Sequence, residues 1–288
     1  MTAAFAVDGH AFTAPPLPAA LHLVATPIGN LRDVTLRALE VMAAADVLAA
    51  EDTRHSRRLL DRYAIRRPMI SYHEHNEAAA TERLIAELDG GRSVALISDA
   101  GTPLVSDPGF RIVAAARKAG HPVVPIPGPS APLAALVASG LAGEAFTFAS
   151  FLPPKESARR SRLEDLRAVP GTLVLFEAPH RLAASLADMA HVLGERHSVV
   201  ARELTKTHEE VRAGTLDELA SHYAAEAPRG EIVVCVAPGT KAETADPETV
   251  LRDLLETMPV SRAASEAVKL TGRPKRELYA LALQLKNG

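Results

Sequence analysis

Ser93-Val94-Ala95-Leu96-Ile97-Ser98-Asp99-Ala100-Gly101-Thr102-Pro103-Leu104-Val105-Ser106-Asp107-Pro108-Gly109 is the stretch whose reading decides the fold. Its first six residues form an apolar run of the kind found in strands covered by helices on both faces. A Gly/Pro loop follows, and then a helical pattern from Gly109 to Ala119. Strand, stiff loop and helix make one unit of an α/β sheet, and such sheets hold ligands beyond the carboxyl ends of their strands. Gly101 lets backbone approach a ligand closely, and Asp99 can accept hydrogen bonds from a hydroxyl or amine. The same Asp, Gly and Pro residues also suit a plain turn.

The pattern repeats outward in both directions. Leu21–Thr26, Val47–Ala50 and Pro122–Ile126 read as further strands, with helical patterns such as Asn76–Leu88 between them. A second unit of the same kind follows, with strands at Phe146–Ser150, Thr172–Phe176, Ser198–Ala201 and Glu231–Val234 and helices at Lys155–Ala168 and Arg181–Leu193. This rhythm predicts an α/β protein with largely parallel sheets in two domains, 21–131 and 132–240, hinged at Pro127-Gly128-Pro129-Ser130. Gly239–Pro247 reads as a polar linker. Residues 247–288 carry only helical signals: Val250, Leu251, Leu254, Leu255 and Met258 on one face, a short helix from Ser261 to Gly272, and a last helix opened by Pro274. Two short helices joined at a glycine resemble a helix-turn-helix. Residues 1–20, dominated by Ala, Pro and Thr, read as a flexible tail.

Composition sets the outer limits. The chain has 288 residues, 47% hydrophobic and 23% charged, with a formal net charge of −3. That balance argues against wholesale disorder and against a uniformly basic nucleic-acid binder, while leaving room for a local basic patch. The one cysteine, Cys235, sits inside Ile232–Val236 and reads as a small buried hydrophobe in a reducing, cytoplasmic setting. No apolar stretch approaches the roughly 18 residues that span a bilayer, and residues 1–20 lack the basic start of a secretory signal.

Three strand ends share stiff punctuation: Thr26-Pro27-Ile28-Gly29-Asn30, the Asp99–Gly109 loop, and Pro125-Ile126-Pro127-Gly128-Pro129-Ser130-Ala131, with Ser130 at a helix N-cap. Together they point to a rigid small-molecule cleft. No G-x-x-x-x-G-K-[ST], strand-linked G-x-G-x-x-G or G-x-S-x-G accompanies them, which disfavours a nucleoside triphosphate, a dinucleotide or a serine hydrolase.

Leu23–Leu31, Ala50-Glu51-Asp52-Thr53-Arg54, Ser98–Gly109, Pro127–Ala131, Phe176-Glu177-Ala178-Pro179-His180-Arg181, Ala201–Lys206 and Arg229-Gly230-Glu231 occur in this order. The order and wording resemble the small-subunit ribosomal RNA methyltransferase branch of the tetrapyrrole methylase superfamily, over about residues 21–240. The resemblance implies two α/β domains of the tetrapyrrole methylase type with a small C-terminal helical domain, S-adenosyl-L-methionine in the cleft between the α/β domains, and a homodimer. It also implies 2′-O-methylation of a cytidine ribose in the decoding region of 16S rRNA, on free rRNA or the 30S subunit. Carried onto this sequence, the methyl donor meets Pro27, Asp99, Ala100, Gly101, Thr102, Pro103, Ser130, Ala131, Phe176 and Glu177, with Pro238 at the adenine.

Methyl transfer from a sulfonium needs alignment above all, and a ribose hydroxyl attacks well only as its proton leaves. Glu177, Asp99, Glu51 and Asp52 are carboxylates at strand ends, while Lys206 and Arg54 are cations able to steady an alkoxide. Residue types alone leave the catalytic residue open, with Glu177, Asp99 and Lys206 as the candidates. Tyr72-His73-Glu74-His75-Asn76-Glu77 invites a metal reading, because His-x-His in a strand puts both rings on one face. No cysteine or carboxylate cluster completes such a site, so no metal is assigned.

Six arginines against one aspartate between residues 54 and 67 form a patch fit for phosphates. RNA contacts are therefore expected at Arg54, Arg57 and Arg58, at His73, His75 and Asn76 by the cleft entrance, at Arg181 and Lys206, and at Lys275 and Arg276 in the helical tail. With no Trp and 4% aromatic residues, backbone and shape recognition should outweigh stacking. Two other readings stand beside this one: a tetrapyrrole C-methyltransferase, and a non-catalytic rRNA-binding assembly protein on the same fold.

Overall fold

The computed structural model describes residues 3–107, 109–141, 143–239, 247–271 and 273–287. Most of the expected linker at Gly239–Pro247, and the glycine expected to end a helix at 272, lie outside the described residues.

Residues expected to form a tail instead open the fold with a hairpin, β1 (Ala4–Val7) and β2 (His10–Thr13), paired antiparallel. Asp8 and Gly9 take φ of 47° and 85°, as a two-residue hairpin turn requires. The hairpin stays folded because Phe5 is buried in the first core, Ala6 N–H donates to Tyr63 O at 2.8 Å, and Phe5 stacks on Phe12.

The first sheet holds β3 (Leu21–Val24), β4 (Val47–Ala50), β5 (Met69–Ser71), β6 (Val94–Ile97) and β7 (Val123–Ile126), in the spatial order β5-β4-β6-β3-β7. All four pairings are parallel. Connecting helices α1 (Leu36–Ala44), α2 (Thr53–Arg62), α3 (Glu77–Asp89) and α4 (Phe110–Lys118) give each face of the sheet its own apolar core. The sheet order reverses beside β3, so the loops after the neighbouring strands β6, β3 and β7 emerge side by side at one edge.

α5 (Ala131–Ser139) leads into the second unit and packs under its sheet through Ala135 and Leu136. That sheet is built from β8 (Phe146–Phe151), β9 (Thr172–Glu177), β10 (His197–Arg202), β11 (Glu210–Thr215) and β12 (Ile232–Val236), in the order β11-β10-β12-β9-β8. Its other face is covered by α6 (Glu156–Arg167), α7 (Leu182–Leu193) and α8 (Leu216–Ala225).

Here the expectation of a largely parallel sheet fails. Only β8 and β9 pair in parallel, while β12 pairs antiparallel with both β9 and β10, and β11 antiparallel with β10. The crossovers through α6 and α7 do send β8, β9 and β10 the same way. The short turn after β10 then reverses the chain into β11, because antiparallel neighbours need no long crossover. β12 returns between β9 and β10 and runs against both.

The tail is α9 (Pro247–Thr257), α10 (Val260–Thr271) and α11 (Lys275–Asn287), closed around a small core of Leu251, Ala263, Ala264, Ala267, Leu278 and Ala282. Among the described residues no helix is long and apolar enough to cross a membrane.

Candidate functional site

The three stiff loops knit together. Thr26 N–H donates to Gly101 O at 2.9 Å and Gly101 N–H returns to Thr26 O at 3.0 Å. Thr26 Oγ1 donates to Ser98 O at 2.9 Å, and Thr102 Oγ1 to Pro129 O at 3.1 Å. Gly101 has φ +80°, and a Cβ there would stand 3.3 Å from Ile28 Cγ2, so only glycine fits without strain.

Against this knot the second sheet closes a cavity of about 370 Å³, within the usual range for small-molecule sites. Ala100, Gly101, Thr102, Ser130, Ala131, Phe176 and Glu177, all expected at the cofactor, line this one cavity. Its other walls include Ile28, Val105, Ser106, Asp107, Phe151, Leu204, Gly230, Glu231, Ile232 and Val233, none of which was assigned from sequence. Ile28, Val105, Ser106, Asp107, Leu204, Gly230 and Glu231 lie within the motifs quoted above, whereas Phe151, Ile232 and Val233 carried no motif. Around the rim, Leu104, Ser106, Ser150, Glu203 and Thr205 hold positive φ without being glycine. Each costs about 1–2 kcal/mol, and such strain gathers at functional sites. Ser106 and Ser150 hydroxyls meet at 2.7 Å across the two units.

Four expected cofactor residues are not among the cavity walls. Pro27 is buried behind the loop knot. Pro103 lines a small adjoining recess with Glu51, Tyr72, Ser98 and Asp107. Asp99 Oδ1 accepts from Asp52 N–H at 3.0 Å instead of facing the cavity. Pro238 stands past the far end of β12, whose first residues Ile232 and Val233 are the ones at the cavity. A Cβ on its neighbour Gly239 would lie 2.7 Å from Arg196 Nη2, at the start of β10.

Glu177 and Lys206, two of the catalytic candidates, already have partners. Glu177 accepts from Ala178 N–H at 2.8 Å and from Ser185 Oγ, with Arg181 Nε at 3.2 Å. Arg181 also donates to Leu152 O at 2.6 Å, which ties it to the chain beside the cavity. Lys206 Nζ donates to Glu203 at 2.8 Å and Glu231 at 2.9 Å. Burial works against its charge, but these two carboxylates win and raise its pKa. The Lys206 loop also meets the first unit: Asn30 N–H donates to Thr205 Oγ1 at 3.1 Å, and a Cβ on Gly29 would press to 2.5 Å from Lys206 Cγ.

Asp52 caps α2, accepting from Arg54 N–H at 2.8 Å and His55 N–H at 3.1 Å. On that helix Arg54, Arg57 and Arg58 make no ion pair among the described residues. Arg62 is tied to Asp8 at 3.3 Å and Arg66 to Asp61, while Arg67 Nε donates to Ala43 O at 2.5 Å. His73 and His75 lie in a turn after β5, not within it, with rings edge-on at 6.0 Å. Asn76 is spent on that turn, accepting from His73 N–H and donating to Ser71 O, each at 2.9 Å. Lys275 and Arg276 open α11.

The family model for tetrapyrrole (corrin/porphyrin) methylases matches residues 20–220, and that for the RsmI C-terminal HTH domain matches residues 241–286. Ribosomal RNA small subunit methyltransferase I of Mesorhizobium japonicum is 62% identical over 276 residues, 94% of each chain. The chain belongs to the ribosomal RNA small subunit methyltransferase I family. Within the wider methylase fold, an X-ray structure of cobalt precorrin-4 methyltransferase, a cobalamin biosynthetic enzyme, superposes with a TM-score of 0.59 at 15% identity, covering 76% of this chain and 95% of that one. Uroporphyrin-III C-methyltransferase from Thermus thermophilus, in complex with S-adenosyl homocysteine, superposes with a TM-score of 0.54 at 19% identity, covering 75% and 96%.

Proposed function

We propose that the chain transfers a methyl group from S-adenosyl-L-methionine to the 2′-oxygen of a cytidine ribose in the decoding region of 16S rRNA, in the cytoplasm and as a homodimer. The observation that carries this reading is the cavity where the three strand-end loops meet the second sheet, in a chain 62% identical to a named small-subunit rRNA methyltransferase. Its walls fit the methyl donor. Phe151, Phe176, Ile28 and Val233 offer apolar surface for a nucleoside, and Glu177 and Glu231 suit a cation. Ser130 opens α5 with no side-chain cap, so the N–H groups of Ala131 and Leu133, on either side of Pro132, which has none, are available to an anionic group.

The bound donor would supply an electrophilic methyl; the protein's part is to hold it and the ribose in line and to keep water out. Arg54, Arg57 and Arg58 would take the RNA backbone, with His73 and His75 nearer the recess and Lys275 and Arg276 on the tail. Support for a second copy comes from Leu133 and Val137, exposed one turn apart on α5, and from Phe110 at the start of α4. The division into units at 21–131, 132–240 and 247–288 is supported by their separate apolar cores.

Radiolabelled methyl transfer to 30S subunits, free 16S rRNA and a tetrapyrrole precursor tests the reading. Label in the ribosomal RNA, retained on a 2′-O-methylated cytidine after digestion, is the expected result. Label on the tetrapyrrole alone would replace it with the corrin-type activity, and RNA binding without label would leave an assembly protein.

A further inference from the structure

Three carboxylates line the cavity: Glu177, Glu231 and Asp107. Glu177 is bound to Ser185, Arg181 and its neighbour's N–H. Glu231 is mostly solvated and paired with Lys206 at 2.9 Å. Asp107 differs from both. Its Oδ2 accepts from Ser98 Oγ at 2.5 Å, and its Oδ1 has no protein partner among the described residues. Among the described residues it is the one carboxylate shared by the large cavity and the adjoining recess, which Glu51 also lines. Glu51 directly precedes Asp52, the cap of the helix that carries Arg54, Arg57 and Arg58. Asp107 therefore stands between the donor's cavity and the phosphate-binding arginines, on a loop fixed by the left-handed residues Leu104 and Ser106 and by the Ser106–Ser150 bridge.

We infer that Asp107 is the general base of the reaction, taking the proton of the attacking ribose hydroxyl on Oδ1. This rests on the methyl-transfer reading above. The hydroxyl O–H bond breaks with its proton passing to Asp107, and an oxygen lone pair forms the new bond to the methyl carbon. The methyl–sulfur bond breaks with its electron pair going to sulfur, which leaves a neutral thioether. Asp107 then releases the proton to water. Its surroundings favour this role: burial raises its pKa, the Ser98 hydroxyl partly opposes that, and the charge of Asp99 adds to the rise. The other charged groups facing the same recess are Glu51 and, beside Glu51, His73 and Asp52. A carboxylate with raised pKa is a stronger base once ionised.

Asp107→Asn keeps an acceptor for Ser98 and removes the base. It should bind S-adenosylhomocysteine by calorimetry within about threefold of wild type while single-turnover methylation of 30S subunits falls by about 100-fold or more. In wild type, carbon-13 NMR of labelled aspartates should show a carboxyl titrating above the ordinary aspartate range, absent from Asp107→Asn. The wild-type rate should fall on acidification through that same titration. A variant that still methylates within about tenfold of wild type would overturn the inference. So would a variant that loses the thioether product, or an Asp107 carboxyl that titrates normally. Failure of the wild-type protein to label any rRNA would instead sink the methyl-transfer reading itself.

Discussion

A single backbone position shows how much of the site rests on stereochemistry. Gly101 exchanges two hydrogen bonds with Thr26 at a φ that other residues reach only with strain. Gly101→Ala is expected to lose about 1–2 kcal/mol of stability, from the left-handed backbone alone, and to weaken S-adenosylhomocysteine binding, checked by denaturant melts and calorimetry. Unchanged binding would mean that the loops do not need this knot to form the cavity. The glycine was legible in the sequence because close approach leaves few substitutes. Asp99 was not, because a strand-end carboxylate accepts whatever donor is nearest. The sequence reading gave it a ligand, and the fold gives it Asp52 N–H. The partners of Lys206 were hidden for the same reason. Its partner Glu203 lies three residues away in the chain, but Glu231 reaches it only through the pairing of β10 with β12.

Among elements, strands carrying a continuous apolar or aromatic run were readable, including β7 and β8 at sheet edges, and strands without one, β5 and β11, were not. β4 and β6 are apolar throughout and stand out; β5 is three half-buried residues, and β11 exposes Val211 and Arg212 at an edge. The hairpin at the start carried a usable sign, Asp8-Gly9 between Ala4–Val7 and His10–Thr13, which the Ala- and Pro-rich surroundings masked. Phe5→Ala should therefore cost about 3 kcal/mol of stability, as for a core aromatic, with cofactor affinity unchanged; a true tail would show no loss. The Glu203–Lys206–Glu231 clasp gives the element its pH dependence. Hydrogen bonds from Lys206 and from Glu231 N–H hold the Glu203 carboxyl below its usual range. Its contribution is present above the unfolded carboxylate pKa and lost as pH falls through the depressed value. Lys206, raised, contributes below its unfolded pKa and loses that contribution as pH rises through its folded one. Glu203→Gln should cost about 1–2 kcal/mol at neutral pH, and thermal melts should show the gap to wild type closing in acid. A gap that stays constant with pH would place the stability elsewhere.

For the molecule as a whole, a net charge of −3 has to coexist with a polyanionic substrate, which only an uneven charge distribution allows. The sequence showed six arginines in one cluster; the fold sorts them by use. Arg62, Arg66 and Arg67 hold the hairpin, the end of α2 and α1, which leaves Arg54, Arg57 and Arg58 free of ion pairs among the described residues. That sorting depends on Asp8, Asp61 and Ala43 O being brought close, which only the folded chain reveals. The free arginines sit on a helix whose cap, Asp52, is itself braced by Asp99 of the cavity loop. If α2 takes the RNA backbone as proposed, this brace fixes that helix relative to the cavity loop. Reversing Arg57 and Arg58 to Glu together should lower 30S affinity by about tenfold or more at moderate salt and flatten the dependence of log affinity on log salt by about two phosphate contacts. Reversing Arg62 should act mainly on stability, since Asp8 already neutralises it. Filter-binding titrations over a salt series separate these outcomes, with S-adenosylhomocysteine affinity as the control that the cavity is intact. If the double reversal leaves the salt slope as it was, α2 faces solvent in the complex and the RNA enters over the helical tail, where Lys275 and Arg276 would then carry the slope.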